Sequence, residues 1–366
     1  MATATAPAKQ GRIDGYPCPQ CGAPTAFKPG TDSLVCDHCD AKVPIPPSTA
    51  KVVTYDLLAK GTHELVQAAS ITSGGREVVC KVCGARAVTA KQSDRCAFCD
   101  SPMIVEVDEQ DRTIPPGGLL PFVVDRVAAG ERFKKWLSSR WFAPRDLVKR
   151  ARRDALDGVY LPYWTYDAET HTHYSGERGE HYTTTETYTE NGETKTREVQ
   201  HTNWYPASGS VDVAFEDILV CGSPSLPEKL LEKLEPWELG KVRPFDGRFL
   251  AGFVAERYRI DQAEGFKTAA ERMYPKIRRA IESDIGGDEQ RISSMNVEYE
   301  RADFRHVMLP LWLTAFHYRD RLFHVTVNAS TGEVSGERPY SVMKIVLLVL
   351  VIAGLIAGII VLTQRH

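Results

Sequence analysis

The chain has 366 residues, 43% of them apolar and 25% charged, with a formal net charge of −3. That length holds two or three domains of about 100–200 residues each, and that apolar content excludes a wholly disordered chain. Near-neutral charge gives no global signal for nucleic acid, which usually draws a strongly basic domain.

Residues 1–15 are small and polar and have no apolar run, so they read as a disordered tail and not as a secretory signal. Residues 16–48 read as a first zinc ribbon. Cys18 and Cys21 form one CxxC knuckle, and Cys36 and Cys39 follow after fourteen intervening residues. Two thiolates spaced by two residues reach one ion at about 2.3 Å, and two such knuckles complete a tetrahedral set. Gly22 follows the first knuckle, where a left-handed backbone is useful. His38 is a nearby donor, but four cysteines already fill the set.

The segment VPIPPS, residues 43–48, is an extended linker. Residues 49–105 repeat the pattern with flanking strands. Cys80 and Cys83 are separated from Cys96 and Cys99 by twelve intervening residues, and Cys83-Gly84-Ala85 matches Cys21-Gly22-Ala23. The repeat predicts two bound ions, both structural, because four cysteines leave no coordination position open for water. An iron centre has the same ligand set, and that choice stays open here. A redox dithiol does not need knuckles arranged two by two. Eight paired cysteines used for metal favour a reducing compartment. The second ribbon carries a mild basic excess without interleaved aromatics, so nucleic acid is not its expected partner.

Residues 106–341 read as a mixed α+β body. A strand is expected over 122–127, then helices over 129–137 and 144–155. Arg140, Arg145, Lys149, Arg150, Arg152 and Arg153 form the most basic patch of the chain. A solvated helix face is the plain reading, and contact with anionic lipid headgroups or an acidic partner is the functional one. An aromatic strand over 159–167 leads into a long run rich in Tyr and Thr. Asn191-Gly192 predicts a hairpin turn with a return strand over 195–204. Both faces of this hairpin are polar, so part of it should project. His171 and His173 share a strand face, with His181 and His201 nearby. Surface histidines are favoured over a metal site, because no placed carboxylate completes one.

Beyond the hairpin come a strand over 217–220 and a lone Cys221 read as a small hydrophobe. A helix over 224–234 and a strand over 249–258 follow. A long amphipathic helix spans 263–284, expected to kink or break at Pro275 and to end at Gly286-Gly287. A strand covers 291–301. Leu309-Pro310-Leu311-Trp312 then echoes Leu161-Pro162-Tyr163-Trp164, an internal repeat opening two β subunits. A meander of antiparallel strands closes the body.

Residues 343–363 read as one transmembrane helix. From Ile345 to Leu362 there is no charge or amide, and about 27 Å of helix nearly matches a hydrocarbon core of ~30 Å. The body is therefore expected as a head held at the membrane surface, on the cytoplasmic side of a single-pass inner membrane protein. Gly354 and Gly358 form a GxxxG that permits helix pairing and a homo-oligomer. No phosphate-binding loop, dinucleotide fingerprint, HExxH or GxSxG occurs.

The paired CxxC ribbons, the segment LPYWTYDAETHTHYSGERGEHY, the segment VNASTGEVSGERPYS and the terminal span together resemble a family of bacterial membrane proteins. Its members often carry the label primosomal protein N′, replication factor Y or superfamily II helicase. A helicase motor needs a Walker loop and a second core domain, and this sequence has neither. Some members are similar to membrane recruiters of phage-shock protein A, sometimes beside flotillin-like proteins. The resemblance therefore implies metal ligation by the eight paired cysteines, a partner of that kind, and no catalytic residue. The resulting expectation is a non-enzymatic, tail-anchored zinc-ribbon scaffold that docks a cytoplasmic protein in membrane stress or homeostasis. A membrane-tethered nucleic-acid binder and an enzyme with its site in the β body are the alternatives.

Overall fold

A computed structural model describes residues 16–59, 76–89, 95–101, 104–106, 114–141, 156–190, 193–318 and 321–364. The expected tail, the helix over 144–155 with Arg145, Lys149, Arg150, Arg152 and Arg153, and the Asn191-Gly192 turn lie outside the described residues.

The first four strands, β1 (Tyr16–Pro17), β2 (Pro24–Phe27), β3 (Ser33–Cys36) and β4 (Lys42–Pro44), form an antiparallel sheet in that order. The other strands belong to one mixed sheet of twelve strands. They are β5 (Tyr55–Asp56), β6 (Arg76–Cys80), β7 (Arg86–Thr89), β8 (Ile104–Glu106), β9 (Gly118–Leu119), β10 (Asp157–Glu190), β11 (Glu193–Cys221), β12 (Arg243–Pro244), β13 (Val254–Glu256), β14 (Glu289–Tyr318), β15 (Arg321–Asn328) and β16 (Val334–Gly336). The helices are α1 (Arg126–Ser138), α2 (Glu228–Glu232), α3 (Gln262–Ile285) and α4 (Val342–Gln364).

Three strands dominate. β10 has 34 residues, β11 has 29 and β14 has 30. β10 lies between the other two, and at about 3.3 Å per residue it runs roughly 110 Å. Such a length needs bulges to coil the sheet. Register shifts fall at Tyr166/Ala168, Glu169/Thr170 and Ser175/Gly176. At the first, Asp217 adopts φ +54° and its amide donates to Asp167 Oδ1 at 2.8 Å. At the last, a Cβ on Gly176 would lie 2.2 Å from the Arg291 carbonyl oxygen, so only glycine fits.

Helix α3 covers the coiled face. Gly265, Ala269, Met273, Ile277, Ile281 and Ile285 are buried at a spacing of four. That stripe drifts about 40° per step around a straight helix, and the right-handed twist of the strands lets it keep facing the sheet. It packs on Trp164, Tyr166, Ala168, Val213, Phe215 and Phe304. Pro275 does not break α3, so the interruption expected as one outcome from sequence does not occur. Pro275 is exposed, so the carbonyl it leaves unpaired one turn earlier can be hydrated.

The LPxW repeat marks an interlaced duplication. Leu161 pairs with Leu309 across β10 and β14, which run antiparallel, so the two copies cross at a local twofold. Each unit runs short strand, Asp-capped helix, long strand, return strand. In the first these are β9, Asp125–α1, β10 and β11. In the second they are β13, Asp261–α3, β14 and β15. Ala129, Phe133 and Leu137 lie buried four, eight and twelve residues past one cap, and Gly265, Ala269 and Met273 do so past the other. β9 runs parallel to β14 and β13 parallel to β10, so each unit lends its short strand to the other.

The strands expected over 159–167, 217–220 and 291–301 are parts of β10, β11 and β14, and three further elements differ. Residues 122–125 form no strand, because Asp125 accepts the Ala128 amide and starts α1 at Arg126. The strand over 249–258 is only β13, because Asp246 caps a short 3₁₀ turn at Gly247–Leu250 and Gly252 turns the chain at φ +86°. The helix over 224–234 shrinks to α2, since Pro227 stays extended at its start.

Candidate metal centres

Each knuckle is built from the same local device. The first cysteine of every pair donates its amide to the carbonyl five residues on, and its carbonyl accepts the amide four residues on. These bonds are Cys18 to Ala23, Cys36 to Ala41, Cys80 to Ala85 and Cys96 to Ser101, all between 2.7 and 3.0 Å. The residue at the fourth position is left-handed each time, with Gly22 at φ +75°, Asp40 at +57°, Gly84 at +72° and Asp100 at +55°. Glycine and aspartate are residues that tolerate this region. The sequence signal is CxxC followed by Gly or Asp, of which only the glycines stand out on reading.

Four sulfurs converge in each ribbon, all within 4.8 Å of one another. Cys18 Sγ lies 3.5 Å from Cys39 Sγ, and Cys21 Sγ 3.5 Å from Cys36 Sγ. In the second ribbon the Cys80–Cys99 and Cys83–Cys96 separations are 3.6 and 3.7 Å. A disulfide would need about 2.05 Å. The edge of a tetrahedron with metal–sulfur bonds of about 2.3 Å is roughly 3.8 Å, so both sets fit one four-coordinate ion. Backbone amides also point at the sulfurs, and that of Gln20 draws the Cys18 thiol down to about 7.

The two sites differ in setting. In the first, Cys18 and Cys36 are buried while Cys21 and Cys39 are exposed. This ribbon docks through Phe27, whose ring lies 5.0 Å from that of Phe249, and Arg243 pairs with Asp32 at 2.6 Å. In the second, Cys80, Cys96 and Cys99 are buried in one apolar cluster with Leu120, Val159, Leu161 and Leu311. β7 pairs with β13, so this ribbon is an extension of the main sheet. His324 Nε2 bonds the Phe98 carbonyl at 2.7 Å, and the buried Arg257 guanidinium pairs with partly buried Glu77 at 3.0 Å. Glu256 lies fully buried against this ribbon. Ser223 donates to it at 2.6 Å, and burial pushes its carboxyl up to about 7. No motif in the sequence distinguishes Glu256 from the many surface carboxylates.

Among the described residues, only the two cysteine sets bring three or more such donors together. His171 pairs with Asp212 at 2.5 Å, which raises its pKa, and its ring lies edge-on to His173. His181 bonds Glu289 at 2.8 Å, and His201 stacks on Tyr182 and contacts Thr184. Of the basic patch, Arg140 is described, and it stacks over Trp136 at 5.0 Å.

Helix α4 contains an apolar window, Met343–Ile360, long enough to be a single membrane span, and none of it is buried against the body. A Cβ on Gly354 or Gly358 would meet nothing within 4 Å.

Two four-cysteine centres on a mixed α+β body, with one apolar helix at the C-terminal end, define the class of the molecule. The chain is similar to uncharacterized protein YdjG of Bacillus subtilis (strain 168), with 26% identity over 338 residues that cover 91% of this chain and 92% of the relative. No protein family model and no solved structure matches the chain.

Proposed function

We propose that this chain is a membrane-anchored zinc protein that docks a cytoplasmic protein partner at the bilayer surface, without catalysing a reaction. Zinc suits the centres because it accepts closed tetrahedral thiolate sets, and such sites supply folding energy and not chemistry. The observation that carries the docking reading is the far end of β10 and β11. β14 stops pairing at Gly179↔Glu289, and residues 180–190 and 193–203 then pair only with each other. This makes roughly 35 Å of two-stranded ribbon. Its base is held by His181 and Thr202, both bonded to Glu289. A polar ribbon this long contributes little to the body's core, so a role outside the fold accounts for it better. The buried second metal centre is in this reading a brace of the sheet.

The test is a crosslinked pull-down from detergent-solubilised membranes. The full chain would be compared with a variant whose residues 183–200 are replaced by a short turn, and metal would be measured on both. We expect one protein partner with the intact ribbon and its loss from the shortened form at unchanged metal content. Recovery of nucleic acid alone, released steeply by salt, would overturn the reading.

A further inference from the structure

A cleft of about 900 Å³ opens where the body meets α4. Its walls include Trp136 and Arg140 from the end of α1, Lys229 and Lys233 from α2 and its C-cap, and Arg338 and Tyr340 from the segment leading to the anchor. We propose that this cleft binds the headgroup phosphate of an anionic phospholipid. The proposal rests on the reading of α4 as a membrane span.

Position is the first argument. Tyr340 is three residues before Met343, where the apolar window begins. At no more than about 3.6 Å per residue, it lies within roughly 11 Å of the hydrocarbon boundary, at the depth of the headgroups. Lys344 Nζ also donates to the Trp141 carbonyl at 2.7 Å, which ties the end of α1 to the first turn of the anchor. Trp141 is 68% and Tyr340 60% exposed. Large aromatic rings at this level are the side chains that favour a membrane–water interface.

Charge is the second argument. Among the described residues Arg140, Lys229, Lys233 and Arg338 have no ion pair. The Arg140 guanidinium lies over Trp136, its Nε shielded from solvent and without a hydrogen-bond acceptor. Arg338 lies over Tyr340 at 5.3 Å. Of the three carboxylates on the walls, Glu228 is held by Arg272 at 2.7 Å, and Glu337 accepts the His324 amide at 3.4 Å. Glu333 is the remaining one. Among the described residues, four cations without an ion pair thus face the cleft against two carboxylates, Glu333 and Glu337, that have no arginine or lysine partner. A phosphodiester would supply the acceptors that Arg140 Nε and its neighbours lack, while its acyl chains lie beside α4.

The experiment uses the full chain in nanodiscs of equal phosphatidylcholine and phosphatidylglycerol, with retained lipids counted by native mass spectrometry. The wild type is expected to keep phosphatidylglycerol in excess. The K229Q/K233Q/R338Q variant should lose that excess, with retention roughly a hundredfold weaker for three cations near a surface. The charge-matched K28Q/K42Q/K51Q variant of the first ribbon should keep it. Equal retention by both variants, or no preference in the wild type, would overturn the proposal. Release by inorganic phosphate at tens of millimolar would show a phosphate site and overturn the lipid assignment. Flotation with pure phosphatidylcholine vesicles tests the anchor separately, and all three proteins should float. If the wild type does not float, the span reading fails. Dihexanoyl-phosphatidylglycerol against dihexanoyl-phosphatidylcholine in detergent solution then still reads the cleft.

Discussion

Trp164 and Trp312 clamp each other's half of the body. Trp164 Nε1 donates to the Ile260 carbonyl at 2.9 Å, and Trp312 Nε1 donates to the Val124 carbonyl at 2.8 Å. Ile260 and Val124 each immediately precede the aspartate that caps a helix, Asp261 for α3 and Asp125 for α1. The tryptophan of one unit thus fixes the helix entry of the other. The LPxW sequence recurs because the same clamp is made twice.

Removing either indole donor should cost the same kind of energy. Trp164→Phe and Trp312→Phe each leave a part-buried carbonyl without its donor, worth about 0.5–1.5 kcal/mol. Thermal unfolding of the two variants should show similar losses, each about one to two degrees. A neutral Trp312→Phe beside a damaging Trp164→Phe would show that the repeat is not energetically symmetric.

The two metal centres should respond differently to loss of a ligand. Cys96→Ser opens a site embedded in the sheet core with Leu161 and Leu311. Cys39→Ser opens one on the exposed rim of the first ribbon. Elemental analysis should read two metal ions per chain in the wild type and one in each variant. Unfolding should shift far more for Cys96→Ser, because metal binding there is also folding energy of the body.

Acid should weaken the body through His306. This ring is buried between Trp164 and Tyr258, with Nδ1 at 2.8 Å from the Ile114 carbonyl. Burial pushes its pKa down to about 4, below the ordinary 6.5. Between those values the unfolded chain binds the proton and the folded chain does not. The His306 contribution is therefore complete above about pH 6.5 and is lost as pH falls towards 4, by up to about 1.4 kcal/mol per pH unit. Denaturant titrations at pH 7 and pH 5 should show this slope, and His306→Gln should flatten it.

Shortening the projecting ribbon should leave the fold intact. Tyr182, Tyr188 and their neighbours there are exposed, so replacing residues 183–200 by a turn removes little buried surface. We expect a melting temperature within a few degrees of wild type. A large drop would mean that the ribbon supports the body.

Local features were legible in the sequence. The two four-cysteine sets were, because two CxxC knuckles separated by a short spacer can bring four thiols to one point with little help from the rest of the chain. The apolar run of α4 and the four-residue stripe of α3 were also legible, since both are contiguous and periodic. Leu161-Pro162 and Leu309-Pro310 were visible as an echo. What was not legible depends on partners far along the chain. β10 reads as several short strands, and it becomes one strand of 34 residues only because β11 and β14 satisfy its two edges. The exchange of β9 and β13, the burial of Glu256 beside β7 and the cleft below α2 likewise join segments far apart along the chain. Short-range chemistry decided what each segment can bind or span. Only long-range pairing and burial, which no local pattern encodes, decided which segments meet.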